Sequence, residues 1–164
     1  ILVKQGYLAL RYHAGLTPEE RQSNQDYFVK GQVQIIVATN AFGMGIDKAD
    51  VRFVVHYNMP KDIESYYQEA GRAGRDGKQA ECLLLYDKSD IAVNTYLIGH
   101  DQPDLEWKDK ELKLLDKMIV YCNTSGCLRK YLLEYFGERV ASSCNNCGNC
   151  SQSKNATWRR FLKL

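Results

Sequence analysis

The sequence has no apolar run long enough to cross a membrane, and no signal peptide precedes its first predicted strand. It also lacks a strong net charge, because 22 Lys and Arg residues are balanced by 20 Asp and Glu residues. This balance permits nucleic-acid binding but does not argue for it. With 45% hydrophobic and 26% charged residues, the 164-residue chain has the composition of a soluble globular protein, and we expect no membrane partner.

A nucleotide-binding P-loop is also missing. The G-x-x-x-x-G-K-[ST] pattern fails at its nearest match, since Arg72 stands five residues before Gly77 and Gln79 follows Lys78. No Asp-Glu pair follows an apolar strand to hold magnesium. The sequence therefore lacks the part of an NTPase that cradles the nucleotide, and we expect this chain alone to be inactive. Its start at Ile1, inside an apolar run, leads us to expect a longer protein.

The first hundred residues alternate predicted strands with predicted helices. One helix begins at Thr17, which can form a capping box with Glu20, and ends before Gly31. Another helix is expected from Asp62 to Arg75. The four predicted strands are short, nearly continuous apolar runs at residues 7–12, 34–38, 51–57 and 82–86. This alternation predicts an α/β fold, with a parallel sheet flanked by helices.

The pattern changes after His100, where residues 101–104 (Asp-Gln-Pro-Asp) have the composition of a hinge. Beyond it, apolar residues at helical spacing predict two helices, at 108–122 and 127–136. We therefore expect a first domain, a small helical second domain, and a linker or truncated element. These are assigned to residues 1–103, 104–153 and 154–164.

The most informative segment contains Gln68, Arg72 and Arg75, which would share one stripe of a helix at positions i, i+4 and i+7. Guanidinium groups match phosphate oxygens in a bidentate manner and stay charged at any pH. Gly71 and Gly74 break the helical pattern beside the arginines, which indicates close approach of the backbone to a ligand. Solvated arginines at a glycine-capped helix end remain the alternative interpretation.

A second segment, residues 35–47, is an apolar strand that runs into a loop with two glycines and a carboxylate. Ligands of open α/β sheets gather where strands end. Thr39 could bond a phosphate there, and Asp47 could bond a ribose hydroxyl or orient an arginine. The segment alone is weak support for a site, because most glycine-rich loops are only turns.

Together, residues 41–47 (AFGMGID) and 66–77 (YYQEAGRAGRDG) resemble motifs V and VI of superfamily 2 helicases, and are most similar to the RecQ family of ATP-dependent DNA helicases. Residues 12–16 (YHAGL) and 51–56 (VRFVVH) also match that family, and the resemblance extends through Cys150. It implies that the first domain is the second RecA-like domain of the helicase motor. The helical part would be a zinc-binding subdomain.

The resemblance also implies roles for individual residues. Arg75, the first choice for an arginine finger, and Arg72 would reach the γ-phosphate of ATP, which the preceding RecA-like domain holds together with Mg²⁺. Gln68 and Asp47 would couple the nucleotide state to domain closure, and Gly45 would belong to the same nucleotide-facing set. An arginine supplied from a second domain acts only when the cleft is closed, so closure would depend on ATP.

On the DNA side, the resemblance implies a 3′-to-5′ helicase that acts on single-stranded DNA and duplex junctions in repair and recombination. Thr39 and His13 would lie nearer the DNA backbone. The preceding RecA-like domain is an expected intramolecular partner, and repair or single-strand-binding proteins are expected external ones. The expected location is the cytoplasm, in association with the nucleoid, in a bacterium, or the nucleus in a eukaryote.

Three of the six cysteines, Cys144, Cys147 and Cys150, lie within seven residues, which indicates a cytosolic metal site instead of scattered disulfides. A fourth thiolate would close a tetrahedral structural site, and Cys122 and Cys127 are the nearest. A predicted helix N-terminus favours Cys127, which also stands at the position that the RecQ resemblance implies. Zinc is favoured over an iron–sulfur cluster, because no fourth cysteine with a proline follows directly. The remaining thiols are expected to pack as small apolar groups.

Two other functions compete with a DNA helicase. One is a non-catalytic, zinc-containing nucleic-acid-binding module, against which the arginine spacing argues. The other is a superfamily 2 RNA helicase domain, against which the cysteine cluster and the RecQ-like motifs argue.

Overall fold

The structure is a computed structural model, and it describes residues 1–40, 42, 48–101, 104–151 and 160–163. The chain divides into two compact units, Ile1–Lys48 and Ala49–Leu164. Among the described residues, no helix has both the length and the apolar character that a membrane span requires.

The first unit contains a strand–helix–strand segment. After a short 3₁₀ turn at Val3–Gln5, strand β1 spans Ala9–Tyr12, helix α1 spans Pro18–Val29 and strand β2 spans Ile35–Ala38. The two strands pair in parallel, with Tyr12 opposite Ala38. The predicted capping box is confirmed: the Thr17 hydroxyl accepts a hydrogen bond from the Glu20 amide at 3.2 Å, and the Glu20 carboxylate accepts one from the Thr17 amide at 2.9 Å.

The second unit carries the other elements. They are β3 (Phe53–His56), α2 (Ile63–Ala70), β4 (Glu81–Leu84), α3 (Ser89–Asp101), α4 (Leu105–Asn123), α5 (Leu128–Tyr135) and β5 (Arg160–Lys163). β3 and β4 are parallel, as predicted, and β5 adds to β4 in the antiparallel direction. All four predicted strands are present, each shorter than its apolar run. The sequence patterns do not predict α3, because Val93, Tyr96 and Leu97 are exposed and blur its buried face.

The predicted helix from Asp62 to Arg75 is wrong at its C-terminal end. Helix α2 ends at Ala70 with Gly71 as its C-cap, so Arg72 and Arg75 lie in the turns that follow and not on a helical stripe with Gln68. Gly74 has a φ of +69°, a left-handed conformation that a helix cannot accommodate. The helix thus ends before both arginines, and Gly74 prevents it from resuming before Arg75.

One buried core runs through the second unit from the sheet to the cysteine cluster. It joins α2 and β4 to α4 and α5, and its fully buried members include Ile63, Tyr66, Leu84, Leu115, Met118, Tyr121, Leu128 and Cys147. The predicted hinge residues Gln102 and Pro103 lie outside the described residues, and the domain boundary at residue 103 stays a prediction.

Candidate functional sites: an arginine-bearing turn and a four-cysteine cluster

Helix α2 presents the arginine-bearing turn, which we define as residues 71–78. Asp62 is the N-cap of the helix, and its buried carboxylate accepts a hydrogen bond from the Ser65 amide at 2.6 Å. Ile63, Tyr66 and Ala70 bury one face of α2 in the core. Gln68 lies on the exposed side of the same helix. The end of α2 is therefore firmly anchored where the turn begins.

The turn itself is a series of tight reversals. The Gly77 amide donates to the Gly74 carbonyl at 2.9 Å, and a Cβ atom built on Gly74 would lie 2.9 Å from the Lys78 carbonyl oxygen. Position 74 therefore requires glycine on both conformational and steric grounds. Arg75 is exposed, with its Nε donating to the Gly71 carbonyl at 3.3 Å, while Arg72 is partly buried. The turn thus presents two guanidinium groups close together.

The electrostatics of Arg72 reflect this crowding. Burial lowers its pKa from the usual value, the nearby charge of Arg75 lowers it further, and the charge of Glu69 acts in the opposite direction. A guanidinium group nevertheless keeps its proton at physiological pH. Two adjacent cations of this kind match an anion with several oxygens, such as a phosphoryl group.

The turn is tied to the segment that leads into β3. The Gly74 amide donates to the Val51 carbonyl at 3.0 Å, and the Asp76 amide donates to the Ala49 carbonyl at 3.1 Å. Arg52 adds a 2.6 Å ion pair with the Asp76 carboxylate and a 3.0 Å hydrogen bond to the Gln79 carbonyl. The hydrogen bond from Arg52 lowers the pKa of Asp76, which keeps the carboxylate charged.

Sequence reasoning does not assign a role to Arg52. Its only local signal is a charged residue at the entrance of an apolar strand. Its Nε donates to the nearby Asp50 carbonyl, but the two partners that tie it to the turn, Asp76 and Gln79, stand more than twenty residues away.

An Arg52→Met substitution is expected to loosen the turn without unfolding the unit. Hydrogen–deuterium exchange should show the Gly74 and Asp76 amides about tenfold less protected, since local opening becomes easier when a tether is lost. The Leu85 amide, which donates to the His56 carbonyl at 2.9 Å, serves as the internal control and should not change. Unaltered protection at all three amides would show that Arg52 does not hold the turn.

The residues predicted to lie near DNA belong to the first unit. His13 follows β1 and Thr39 follows β2, directly after the paired residues Tyr12 and Ala38. Because the strands are parallel, both side chains stand at the same carboxyl edge of this sheet. Thr39 is exposed, and its amide donates to the Tyr12 carbonyl at 3.1 Å. Gly45 and Asp47 lie outside the described residues.

The structure brings the four predicted metal-ligating cysteines together. The sulfur atoms of Cys127, Cys144, Cys147 and Cys150 all lie within 4.8 Å of one another. Those of Cys127 and Cys147 are 3.9 Å apart. A tetrahedral zinc with Zn–S bonds of about 2.3 Å places its sulfur atoms about 3.8 Å apart, so the cluster fits a structural zinc site. Four thiolates leave no coordination position for a catalytic water.

Backbone amides point at these sulfur atoms. Cys127 is the N-cap of α5, and its sulfur accepts a hydrogen bond from the Lys130 amide at 3.4 Å. The sulfur of Cys147 accepts one from the Leu128 amide, also at 3.4 Å. Such amides orient the sulfur atoms for the metal.

The other two cysteines pack in the core, as predicted. Cys82 and Cys122 are each 1% exposed or less. The Cys82 thiol donates to the Ala70 carbonyl at 3.4 Å, and burial raises its pKa to about 12. At neutral pH this thiol is therefore protonated and chemically inert.

Two family models match the chain. The model described as "Helicase conserved C-terminal domain" matches residues 1–77, and the one described as "RecQ zinc-binding" matches residues 88–151. The first match covers the arginines of the turn, and the second covers all four clustered cysteines.

Curated proteins that are similar to this chain are named as ATP-dependent helicases. The chain is 50% identical over 147 residues to the ATP-dependent DNA helicase RecQ of Bacillus subtilis, covering 89% of this chain and 24% of that protein. It is 49% identical over 134 residues to the ATP-dependent DNA helicase hus2/rqh1 of Schizosaccharomyces pombe, covering 81% of this chain and 10% of that protein. The ATP-dependent helicase SGS1 of Saccharomyces cerevisiae is 45% identical over 156 residues, covering 93% and 11%. The chain thus spans a quarter or less of these curated relatives.

A solved structure of S. cerevisiae dbp5 bound to gle1 and IP6 superposes with a TM-score of 0.50 at 24% identity, covering 70% of this chain and 34% of that chain. At this identity the likeness concerns the fold alone. It confirms the predicted α/β, RecA-like fold class.

Proposed function

Because the chain belongs to the RecQ family of helicases, we propose that it is the C-terminal part of the motor core of an ATP-dependent 3′-to-5′ DNA helicase. One observation carries the proposal: two guanidinium groups stand on a tightly anchored turn in a chain that has no P-loop of its own. Such a turn is suited to complete a nucleotide site that another domain begins.

In this proposal Arg75 is the arginine finger and Arg72 assists it. Negative charge spreads over the γ-phosphoryl oxygens as ATP is hydrolysed, and fixed cations that meet this charge lower the barrier. ATP and Mg²⁺ would be held by the preceding RecA-like domain. Gln68, with Gly45 and Asp47 of the motif V segment, would link the nucleotide state to closure of the two domains.

DNA would be held through its phosphates at the carboxyl edge of the β1–β2 sheet. His13 and Thr39 are adjacent there, and an exposed hydroxyl such as that of Thr39 is a common phosphate ligand. Alternate gripping of one strand by two domains that open and close would move the motor along single-stranded DNA toward a duplex junction. The site of action would be the bacterial cytoplasm or the eukaryotic nucleus.

Duplex unwinding by the full-length protein tests this proposal. Matched DNA and RNA duplexes with 3′ single-stranded tails should give ATP-dependent separation of DNA only. Separation of the RNA duplex alone would show that the protein is an RNA helicase. Binding without ATP-dependent separation of either duplex would show that it is a non-catalytic nucleic-acid-binding module. As a control, this chain alone should release no phosphate from ATP, because it lacks the P-loop. Phosphate release by the chain alone would contradict the assignment of halves.

A further inference from the structure

His56 is a buried histidine for which the proposed mechanism has no use. It is the last residue of β3, and its side chain is only 7% exposed. Its Nε2 lies 2.8 Å from the Oε2 atom of Glu69, which stands on α2. The ring also packs against Tyr66, one turn earlier on the same helix, with ring centroids 4.9 Å apart. A single ring thus fixes two residues of the helix that leads into the arginine-bearing turn.

Within the part of the chain that the structure describes, the His56 ring hydrogen-bonds on one side only, toward Glu69. Among the described residues, Nδ1 of His56 is buried and has no hydrogen-bond partner. The polar interaction of the ring is therefore directed at Glu69. A buried polar atom left unpaired has a cost in free energy, so the residue type at this position calls for an explanation beyond packing.

Glu69 stands next to the arginines. It is three residues before Arg72, and the Arg72 amide donates to the Glu69 carbonyl at 3.3 Å. The charge of Glu69 acts on Arg72 in the sense opposite to that of Arg75. Two guanidinium groups that must converge on one phosphoryl group repel each other, and a nearby carboxylate reduces this repulsion. A carboxylate that moved freely would instead pair with a guanidinium and compete with the phosphate.

We propose that His56 and Glu69 form a positioning pair, in which the His56 ring holds the Glu69 carboxylate where it offsets the repulsion between Arg72 and Arg75 but does not capture Arg72. Neither residue touches substrate in this arrangement. Both act through the arginines, so the inference rests on the proposed role of Arg72 and Arg75 in ATP hydrolysis.

Three variants of the full-length helicase test the pair. His56→Phe keeps a ring against Tyr66 but frees Glu69, so kcat for ATP hydrolysis should fall about tenfold, equal to about 1.4 kcal/mol of barrier, while KM for ATP changes less than about twofold. Glu69→Ala removes the carboxylate that offsets the repulsion between the arginines, but it also removes the group that could compete with the phosphate for them. It should therefore lower kcat only about threefold. The double variant should match Glu69→Ala and be faster than His56→Phe alone.

This partial rescue separates positioning from a structural role. If His56 served only packing, deleting Glu69 in addition would leave the double variant at least as slow as His56→Phe, which would overturn the proposal. Glu69→Gln, which keeps an oxygen acceptor on a part-exposed side chain, covers the case in which His56→Phe fails to fold. Wild-type kcat for Glu69→Gln would equally overturn it. A fully active Arg75→Ala variant would instead refute the proposed function.

Discussion

In the full-length protein, if it is the proposed helicase, an Arg75→Ala substitution is expected to lower kcat for ATP hydrolysis by about a thousandfold or more, with little change in ATP binding. The side chain is exposed, and the hydrogen bond that it makes to the Gly71 carbonyl is long at 3.3 Å. Its removal should therefore leave the core intact and subtract the charge that we propose acts in the transition state. ATPase rates together with a nucleotide-binding assay measure the two effects separately.

Neighbouring positions provide the controls for this experiment. Lys78→Ala removes an exposed positive charge from the same turn and should keep most of the activity. Arg75→Lys should recover little, because an ammonium group cannot replace the planar, bidentate guanidinium. Arg72→Ala should resemble Arg75→Ala or be somewhat milder. ATPase and unwinding that survived both alanine substitutions would show that the turn is structural only.

Loss of any one of the four clustered cysteines is expected to remove the zinc and unfold the region around α5. A thiolate zinc site supplies on the order of 10 kcal/mol of folding free energy near neutral pH. Cys147 belongs to the same buried core as Leu128 and Leu132 of α5, and Cys127 caps that helix. Elemental analysis and circular dichroism of single Cys→Ala variants give the metal content and the helix content.

The damage should extend to α2. The Tyr135 hydroxyl donates to the Glu64 carboxylate, and the rings of Tyr67 and Phe136 lie 4.7 Å apart, so α5 covers part of the helix that presents the arginines. We therefore expect the zinc-free variants to show weaker protection of α2 amides in hydrogen exchange. Unchanged α2 protection after complete metal loss would mean that the two regions fold independently.

The two core cysteines are matched controls. Cys82→Ala and Cys122→Ala should retain one zinc per chain, since both thiols are buried apart from the cluster. Metal loss in Cys122→Ala but not in Cys127→Ala would show that the fourth ligand is Cys122. If the elemental analysis found iron and the protein absorbed visible light, the site would hold an iron–sulfur cluster and not zinc.

Several features of this protein follow from its sequence alone, because they depend on residues that are close in the chain. The capping box of Thr17 and Glu20 and the spacing of the last three cysteines each involve residues only three positions apart, so the sequence alone predicts them. The apolar runs predict parallel strands without knowledge of their partners. The motif wording also predicts a nucleotide-facing role for Arg72 and Arg75, which stays a prediction, although the helix predicted to carry them ends earlier.

What only the tertiary structure decided is how the arginine-bearing turn is held. Helix α2 ends at Ala70, and the turn that follows is tied to Val51 through the Gly74 amide, a contact that helical periodicity does not predict. Arg52 reaches Asp76 across 24 residues, and His56 reaches Glu69 across 13. The physical reason is that spacing rules describe neighbours along one element, whereas a buried charge or an anchored turn depends on the element that folding places beside it.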